Sequence, residues 1–276
     1  MIDKRILIKN VKLALAEDNV RNDLSHLVLG RKAPKKIEAK LTNNESFVIS
    51  GIQWFNQSFK LLDEKIKIKW NFKDGDKILP NQNLCSVFGD PKKILSAERT
   101  ALNFLQFMSG ISTKAKSYVE ILNNSDIDLL DTRKTLPGLR YEQKYATRIA
   151  GVKNHRFSLS DGLMLKDNHL KALNGIESIT YKHKSPKNFF FEIEVEKLSE
   201  LEPALSLNPD ILMFDNFSFK QIEKGIKIVN KRAKIEISGL KSKKDLKKLS
   251  SLNIDFISMG DLTKNIKAID LSLNIV

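Results

Sequence analysis

The sequence predicts an α/β protein in two parts, a mixed α/β unit followed by a β/α barrel. Three observations support that expectation. Between Ile52 and Phe72 the spacing of apolar residues switches from about 3.6 to 2, as it does where a helix gives way to a half-buried strand. From about residue 110 onward, six short apolar runs alternate with helical segments, the rhythm of parallel strands joined by crossover helices. A doubly wound open sheet shares that rhythm, but no glycine-rich dinucleotide or phosphate-loop fingerprint follows any of the runs.

Taken in order, residues 6 to 17 form the first predicted helix, and KIEAK and SFVIS form two strands around a turn at Asn43 and Asn44. Ile52, Phe55, Phe59 and Leu62 recur at helical spacing. Ile66, Ile68, Trp70 and Phe72 then alternate with Lys65, Lys67, Lys69 and Asn71 as a strand. Residues 74–76 turn the chain, NLCSVFG is a further strand, and Pro91 opens a long helix through AERTALNFLQFM. The barrel strands are IDLLD (127–131), LMLK (163–166), FFFEIEV (189–195), DILMFD (210–215), KIEIS (234–238) and DFISMG (255–260). SELEPALSL, FKQIEKGIKIVNKRA and KKDLKKLSSL are helical segments between them.

With 276 residues, 41% of them apolar, the chain can bury a sizeable core without covalent staples. Cys85 is the only cysteine and the first residues are charged, so a reducing cytoplasm is expected. No apolar run approaches the roughly 20 residues of a membrane span. A formal charge of +14 attracts anions, whether nucleic acid, an anionic surface or a small polyanion. Most of the lysines are spread along the chain and read as a solvated surface. A basic face interleaved with aromatics is missing, so nucleic acid is not the expected partner.

Polar residues that packing does not require fall at the carboxyl ends of the predicted strands, the face on which barrels build active sites. IDLLD runs into Asp131, Thr132, Arg133 and Lys134, and LMLK ends at Lys166, Asp167, Asn168 and His169. Arg133, Lys134, His155, Arg156 and Lys166 are candidate anion-binding groups, the arginines being suited to bidentate contacts. Glu194 and Asp215 are hard oxygen ligands for Mg²⁺, directly or through water, or grips for ribose hydroxyls. Ser238, Gly239 and Gly260 sit where a barrel commonly seats a phosphate on backbone amides. Serine or cysteine nucleophiles with a base, zinc-type clusters and redox motifs are missing, so the chemistry is expected to be electrostatic positioning. Taken singly, His155 and His169 read as structural histidines, and Glu194 between Glu192 and Glu196 reads as part of a solvated strand face.

AERTALNFLQFMSGIST, DTRKTLPGLR, KYA followed by NHR, LMLKDNH, EIEVE, DILMFDN, EISG and DFISMGDLT resemble, in order and spacing, the quinolinate phosphoribosyltransferases. LAEDNVRNDLS and DGDKILPNQNL extend the resemblance over most of the chain. It implies an N-terminal open-faced α/β sandwich over residues 1–109 and an incomplete β/α barrel over 110–264, with a tail at about 265–276 returning to the first domain. It also implies transfer of phosphoribosyl from phosphoribosyl pyrophosphate to quinolinate with loss of CO2, giving nicotinate mononucleotide, in a Mg²⁺-dependent homodimer. By the same resemblance Arg99 reaches a quinolinate carboxylate in the neighbouring subunit's site, and Arg133, His155, Arg156 and Lys166 complete the carboxylate cradle. Lys134 and Lys166 stand by the pyrophosphate as catalytic groups. Glu194 and Asp215 handle ribose hydroxyls and Mg²⁺, and Ser238, Gly239 and Gly260 hold the 5′-phosphate.

Four positions depart from that pattern. Val152 and Ser158 replace glycines around NHR, Leu240 replaces a second glycine after Ser238 and Gly239, and Lys264 and Asn265 replace a His-Ser pair. The nearest alternative is the related protein encoded with molybdate transporters, which shares TRKT but usually lacks the KDNH segment found here. A basic nucleic-acid-binding protein is the alternative from another class.

Overall fold

A computed structural model describes residues 2–30, 33–181, 189–240 and 242–276. These fall into two compact units, one of residues 1–116, 136–151 and 263–276, the other of residues 117–135 and 152–262.

The chain begins with α1 (Lys4–Glu17), α2 (Ser25–Leu29), β1 (Ile37–Asn43), β2 (Phe47–Val48) and α3 (Ile52–Lys60). It continues through β3 (Lys67–Trp70), β4 (Lys77–Ile78), β5 (Asn83–Gly89) and the long α4 (Pro91–Leu122). The helix predicted from Pro91 thus runs well past Met108. Next come β6 (Asp128–Leu130) and α5 (Arg140–Ile149), then β7 (Gly162–Leu165), α6 (Asp167–Ala172) and β8 (Phe190–Val195). The remainder is α7 (Leu201–Leu205), β9 (Ile211–Asp215), α8 (Phe219–Val229), β10 (Lys234–Ser238), α9 (Lys243–Leu249), β11 (Phe256–Ser258), α10 (Asp261–Lys264) and β12 (Leu271–Ile275).

In the first unit β12, β1, β5 and β3 form an antiparallel sheet in that order, with Leu41 paired to Leu273 on one side and to Cys85 on the other. Strand alternation puts Ala39 and Leu41 of β1 and Cys85 and Val87 of β5 in the core, beside Phe55 and Phe59 of α3 and Ala97, Ala101 and Leu105 of α4, and Leu84, on the opposite face of β5, is buried as well. Gly51 begins α3 at φ +104°, and a Cβ there would lie 2.9 Å from Met108 Sδ, so close approach and backbone both call for glycine.

In the second unit six parallel strands lie in the order β6, β11, β10, β9, β8, β7. A parallel bridge between Leu130 and Lys153 sets one more short segment beside β6. Among the described residues no ladder joins that segment to β7, so the ring of strands is an incomplete barrel. Arg156 crosses the opening, donating from Nη1 to the Gly162 carbonyl at 3.0 Å. The covering helices carry the expected apolar stripe: Ile222, Gly225 and Val229 of α8 are buried, and Ser218 and Gln221 cap its start.

Candidate active site

Carboxyl ends of the barrel strands surround a cavity of about 370 Å³ lined by Thr132, Arg133, Lys134, His155, Arg156, Leu159, Met164, Lys166, His169, Met213, Glu236, Ser238 and Ser258. Parallel register explains the convergence. Ser238 is paired with Asp215, Glu236 with Met213 and Glu194 with Met213, so alternate residues of neighbouring strands face the same interior. Arg133, Lys134, His155, Arg156, Lys166 and Ser238, all singled out from sequence, meet there.

Asp131, fully buried at the end of β6, accepts from Asn154 Nδ2 at 2.5 Å and from the His155 amide at 3.0 Å. It thereby fixes the segment that carries two of the cations. Arg156 is 8% exposed, and burial and then the charge of Arg133 lower its pKa. Two cationic side chains in a partly dry pocket repel one another, and an incoming anion relieves that cost. The loop beyond is tied to itself: Asp161 accepts from the Phe157 and Ser158 amides and from the Ser158 hydroxyl. Ser158 therefore has a hydrogen-bonding use at a position where glycine was the expected residue.

Lys166 ends β7 and pairs through Nζ with Glu194 Oε2, and its own amide donates to His169 Nδ1 at 3.0 Å. Glu194 is 7% exposed and Glu192 and Glu236 are fully buried, which corrects the reading of 192–196 as a solvated face; only Glu196 is exposed. A barrel strand is buried on both sides, so a carboxylate on its inner face is interior. Glu194 lines a neighbouring cavity with Asp167, Lys171 and Glu196, on the far side of the Lys166 pair. Asp215 accepts from Asn216 Nδ2 at 2.7 Å at the end of β9.

Gly239 has φ +81°, and a Cβ there would lie 2.2 Å from Asn216 Oδ1, so only glycine fits. A Cβ at Gly260 would meet Lys134 Cδ at 2.7 Å, which shows the lysine stem lying directly over that backbone. Asp215, Gly239 and Gly260 stand at strand ends without lining the cavity itself. Arg99, exposed on α4, lines a separate cavity of about 470 Å³ in the first unit with Asn10, Asp18, Phe104 and Leu139.

His155 bears on the cavity differently from the arginines. Its Nε2 lies 3.0 Å from Glu192 Oε2 and 3.5 Å from Glu236 Oε2, and its Nδ1 lies 2.7 Å from the Arg156 amide. Burial alone would lower the ring pKa, but the two carboxylates outweigh it and raise it to about 9. The sequence reading missed Glu192 and Glu236 as site residues. Their signal was a charged residue at an inward position of a strand otherwise built from Ile and Phe. Among the described residues, His155, Glu192 and Glu236 are also the group of side chains close enough together to share one metal ion.

The family description "Quinolinate phosphoribosyl transferase, C-terminal domain" matches residues 111–274, and its N-terminal counterpart matches residues 23–109. A probable nicotinate-nucleotide pyrophosphorylase (carboxylating) of Methanocaldococcus jannaschii is 38% identical over 258 residues, covering 90% of this chain and 88% of the relative. The chloroplastic nicotinate-nucleotide pyrophosphorylase (carboxylating) of Arabidopsis thaliana is 32% identical, covering 96% of this chain and 81% of its own length. Among solved structures, the nicotinate-nucleotide pyrophosphorylase of Francisella tularensis superposes with a TM-score of 0.92 at 35% identity, over 100% of this chain and 98% of that one.

Proposed function

The chain belongs to the quinolinate phosphoribosyltransferase family, and from that premise we propose the reaction and the roles of its residues. It transfers phosphoribosyl from phosphoribosyl pyrophosphate to quinolinate with decarboxylation, giving nicotinate mononucleotide, CO2 and pyrophosphate, a step of NAD biosynthesis. The observation that carries this reading is the convergence of Arg133, Arg156, Lys134 and Lys166 on one barrel cavity sized for a small polyanion.

Quinolinate enters as a dianion, and the two arginines and Lys166 orient its carboxylates, so that binding supplies proximity and alignment. The pyridine nitrogen forms a bond to the anomeric carbon of ribose while the bond from that carbon to the pyrophosphate oxygen breaks. Positive charge gathers on the sugar and negative charge on the leaving group. Lys134 and Lys166 stabilise the latter, and Glu194 and Asp215 the former. The Lys166–Glu194 pair holds both charges in place before substrate arrives. Once ribosylated, the ring nitrogen is cationic and stabilises the electron pair that stays on the adjacent ring carbon when its carboxylate departs as CO2. A proton from solvent then completes the product, and no side chain has to break that bond.

Ser238, Gly239 and Gly260 offer the 5′-phosphate a hydroxyl and backbone amides, with Asn216 packed closely against Gly239. Glu194 and Asp215, hard oxygen donors at the ends of the adjacent strands β8 and β9, fit Mg²⁺ held directly or through water. Bound there, the ion would neutralise charge on the pyrophosphate. Arg99 is assigned to the site of a second copy, in a homodimer. A cytoplasmic location agrees with the single, buried, free Cys85. No described helix is long and apolar enough to cross a membrane.

The test is a competition assay with purified protein, phosphoribosyl pyrophosphate and Mg²⁺, offering quinolinate beside nicotinate. Turnover confined to quinolinate supports the dicarboxylate cradle, and preference for nicotinate overturns it. Mixed Arg99→Ala and Lys166→Ala subunits should regain activity that neither homodimer has. Verified mixed dimers that stay inactive would remove Arg99 from a shared site.

A further inference from the structure

The segment that carries Arg156 to the cavity runs beside β6, where Lys153 donates to the Leu129 carbonyl, accepts from the Asp131 amide and pairs with Asp128. A parallel bridge pairs Leu130 with Lys153, and Asp131 accepts from Asn154 and the His155 amide. Arg156 itself spends one arm on the Gly162 carbonyl and another on Met164 Sδ at 3.2 Å. The inward anchor of the segment is the His155 ring, which crosses the barrel interior to meet Glu192 on β8 and Glu236 on β10. We propose that Glu236 and Glu192 are positioning residues for the reaction, acting through His155: from two strands they clamp its ring, and so hold Arg156 where it meets the pyridine carboxylates. This inference rests on the reading of the cavity as the quinolinate site.

Three observations carry it. Glu192 Oε1 and both Glu236 oxygens are buried without a hydrogen-bond partner. Leaving such groups buried costs free energy unless a positive charge sits among them, and the imidazole is the group both carboxylates reach. Both ring nitrogens are engaged by the protein itself, so the ring serves in place rather than by turning toward substrate. Phe190 packs edge-on against the ring at 5.4 Å between centroids, which restrains it further. Glu192 and Glu236 are the charges that act on the ring in its pKa, the Arg156 backbone amide meets Nδ1, and Lys166 acts in turn on Glu192. Arg156 N–H toward Nδ1 favours a neutral ring, and the two carboxylates favour a second proton. The two carboxylates outweigh one amide and raise the ring pKa to about 9, while burial and the charge of Glu236 push Glu192 itself up to about 7.

The experiment is steady-state kinetics on the full-length protein with quinolinate, phosphoribosyl pyrophosphate and Mg²⁺, for wild type, Glu236→Gln, Glu192→Gln, His155→Gln and the Glu236→Gln/His155→Gln double variant. Each single change should raise the KM for quinolinate by about 10- to 100-fold, the scale of a small misplacement of a binding group. The KM for phosphoribosyl pyrophosphate should stay near wild type. The double variant should be no worse than His155→Gln alone, because one residue acts through the other. The alkaline limb of kcat/KM for quinolinate should move to lower pH in Glu236→Gln. Additive losses, an equal rise of both KM values, or an unmoved limb in both glutamate variants would each overturn the proposal. So would one tightly held divalent metal per chain that is lost in Glu236→Gln, which would make the three side chains metal ligands. Should wild type form no nicotinate mononucleotide, the functional reading fails by itself. The clamp is then tested by NMR titration of His155, which should titrate near pH 9 and lower in Glu236→Gln; equal titration points in both would overturn it.

Discussion

In the first unit, Glu142 of α5 accepts from Trp54 Nε1 at 2.9 Å and from Asn10 Nδ2 at 2.7 Å. Gln143 beside it donates to the Thr263 carbonyl and accepts from the Leu136 amide, and Tyr145 donates to Asp74. Those side chains reach one another or the backbone and brace a fold, with one Glu142 oxygen, Oε2, and the Ser50 hydroxyl left without a hydrogen-bond partner. In the barrel, Arg156, Glu236, Lys166 and Ser238 are turned toward a cavity, and carboxylate oxygens of Glu192 and Glu236 are left without hydrogen-bond partners. The difference between the two units is the cavity: buried charge that lines an open space is placed to meet a ligand, while buried polar groups packed against protein serve the architecture.

The largest effect that would sharpen this contrast is at Lys166. Lys166→Met keeps the stem and removes the ammonium, and kcat should fall by about 100-fold or more, the scale of losing one preorganised transition-state contact. Circular dichroism should show the folded chain retained. Near-normal turnover would take Lys166 out of the chemistry. In the first unit the expected consequence is reversed. Leu41 is fully buried between β12 and β5, so Leu41→Ala should cost about 2–5 kcal/mol of stability in a denaturant titration. Substrate KM values should hold wherever the protein is still folded. Changed KM with unchanged stability would erase the distinction between the two units.

A smaller effect follows from His155. Its pKa is raised from 6.5 to about 9 in the fold, so the folded chain holds a proton that the unfolded chain releases earlier. The stabilisation is complete below about pH 6.5 and is lost as the pH rises through about 9. The melting temperature should therefore fall over that window in wild type and fall less in His155→Gln. Parallel curves for the two proteins would show that the ring is not held between charged carboxylates.

Much of this fold is legible in the residues alone, because its strands are short, mostly apolar or alternating, and bounded by polar turns. KIEIS and NLCSVFG coincide with β10 and β5, and the other predicted barrel strands fall within a residue or two of those observed. α5 has no clear apolar period, since Glu142, Gln143, Lys144 and Thr147 are themselves buried, and a helix that buries polar side chains hides its inward face. β12 and β4 are stabilised by distant partners, β1 and β2, so their strand state is decided by tertiary pairing. The cationic strand ends were readable because barrel topology sends every carboxyl end to one face. Glu192 and Glu236 were flagged in sequence only by sitting at inward strand positions, because an acid on a strand otherwise looks the same whether it meets water or a buried imidazole.

The central claim is that the barrel cavity holds a dicarboxylate and lets the ribosylated ring expel one of its carboxyl groups. Quinolinate labelled with carbon-14 in the carboxyl group next to the ring nitrogen tests it directly. Incubation with the protein, phosphoribosyl pyrophosphate and Mg²⁺ should release labelled CO2 in step with pyrophosphate, one for one, and leave unlabelled nicotinate mononucleotide. Pyrophosphate release without labelled CO2, or no release of either from folded protein, would contradict the account.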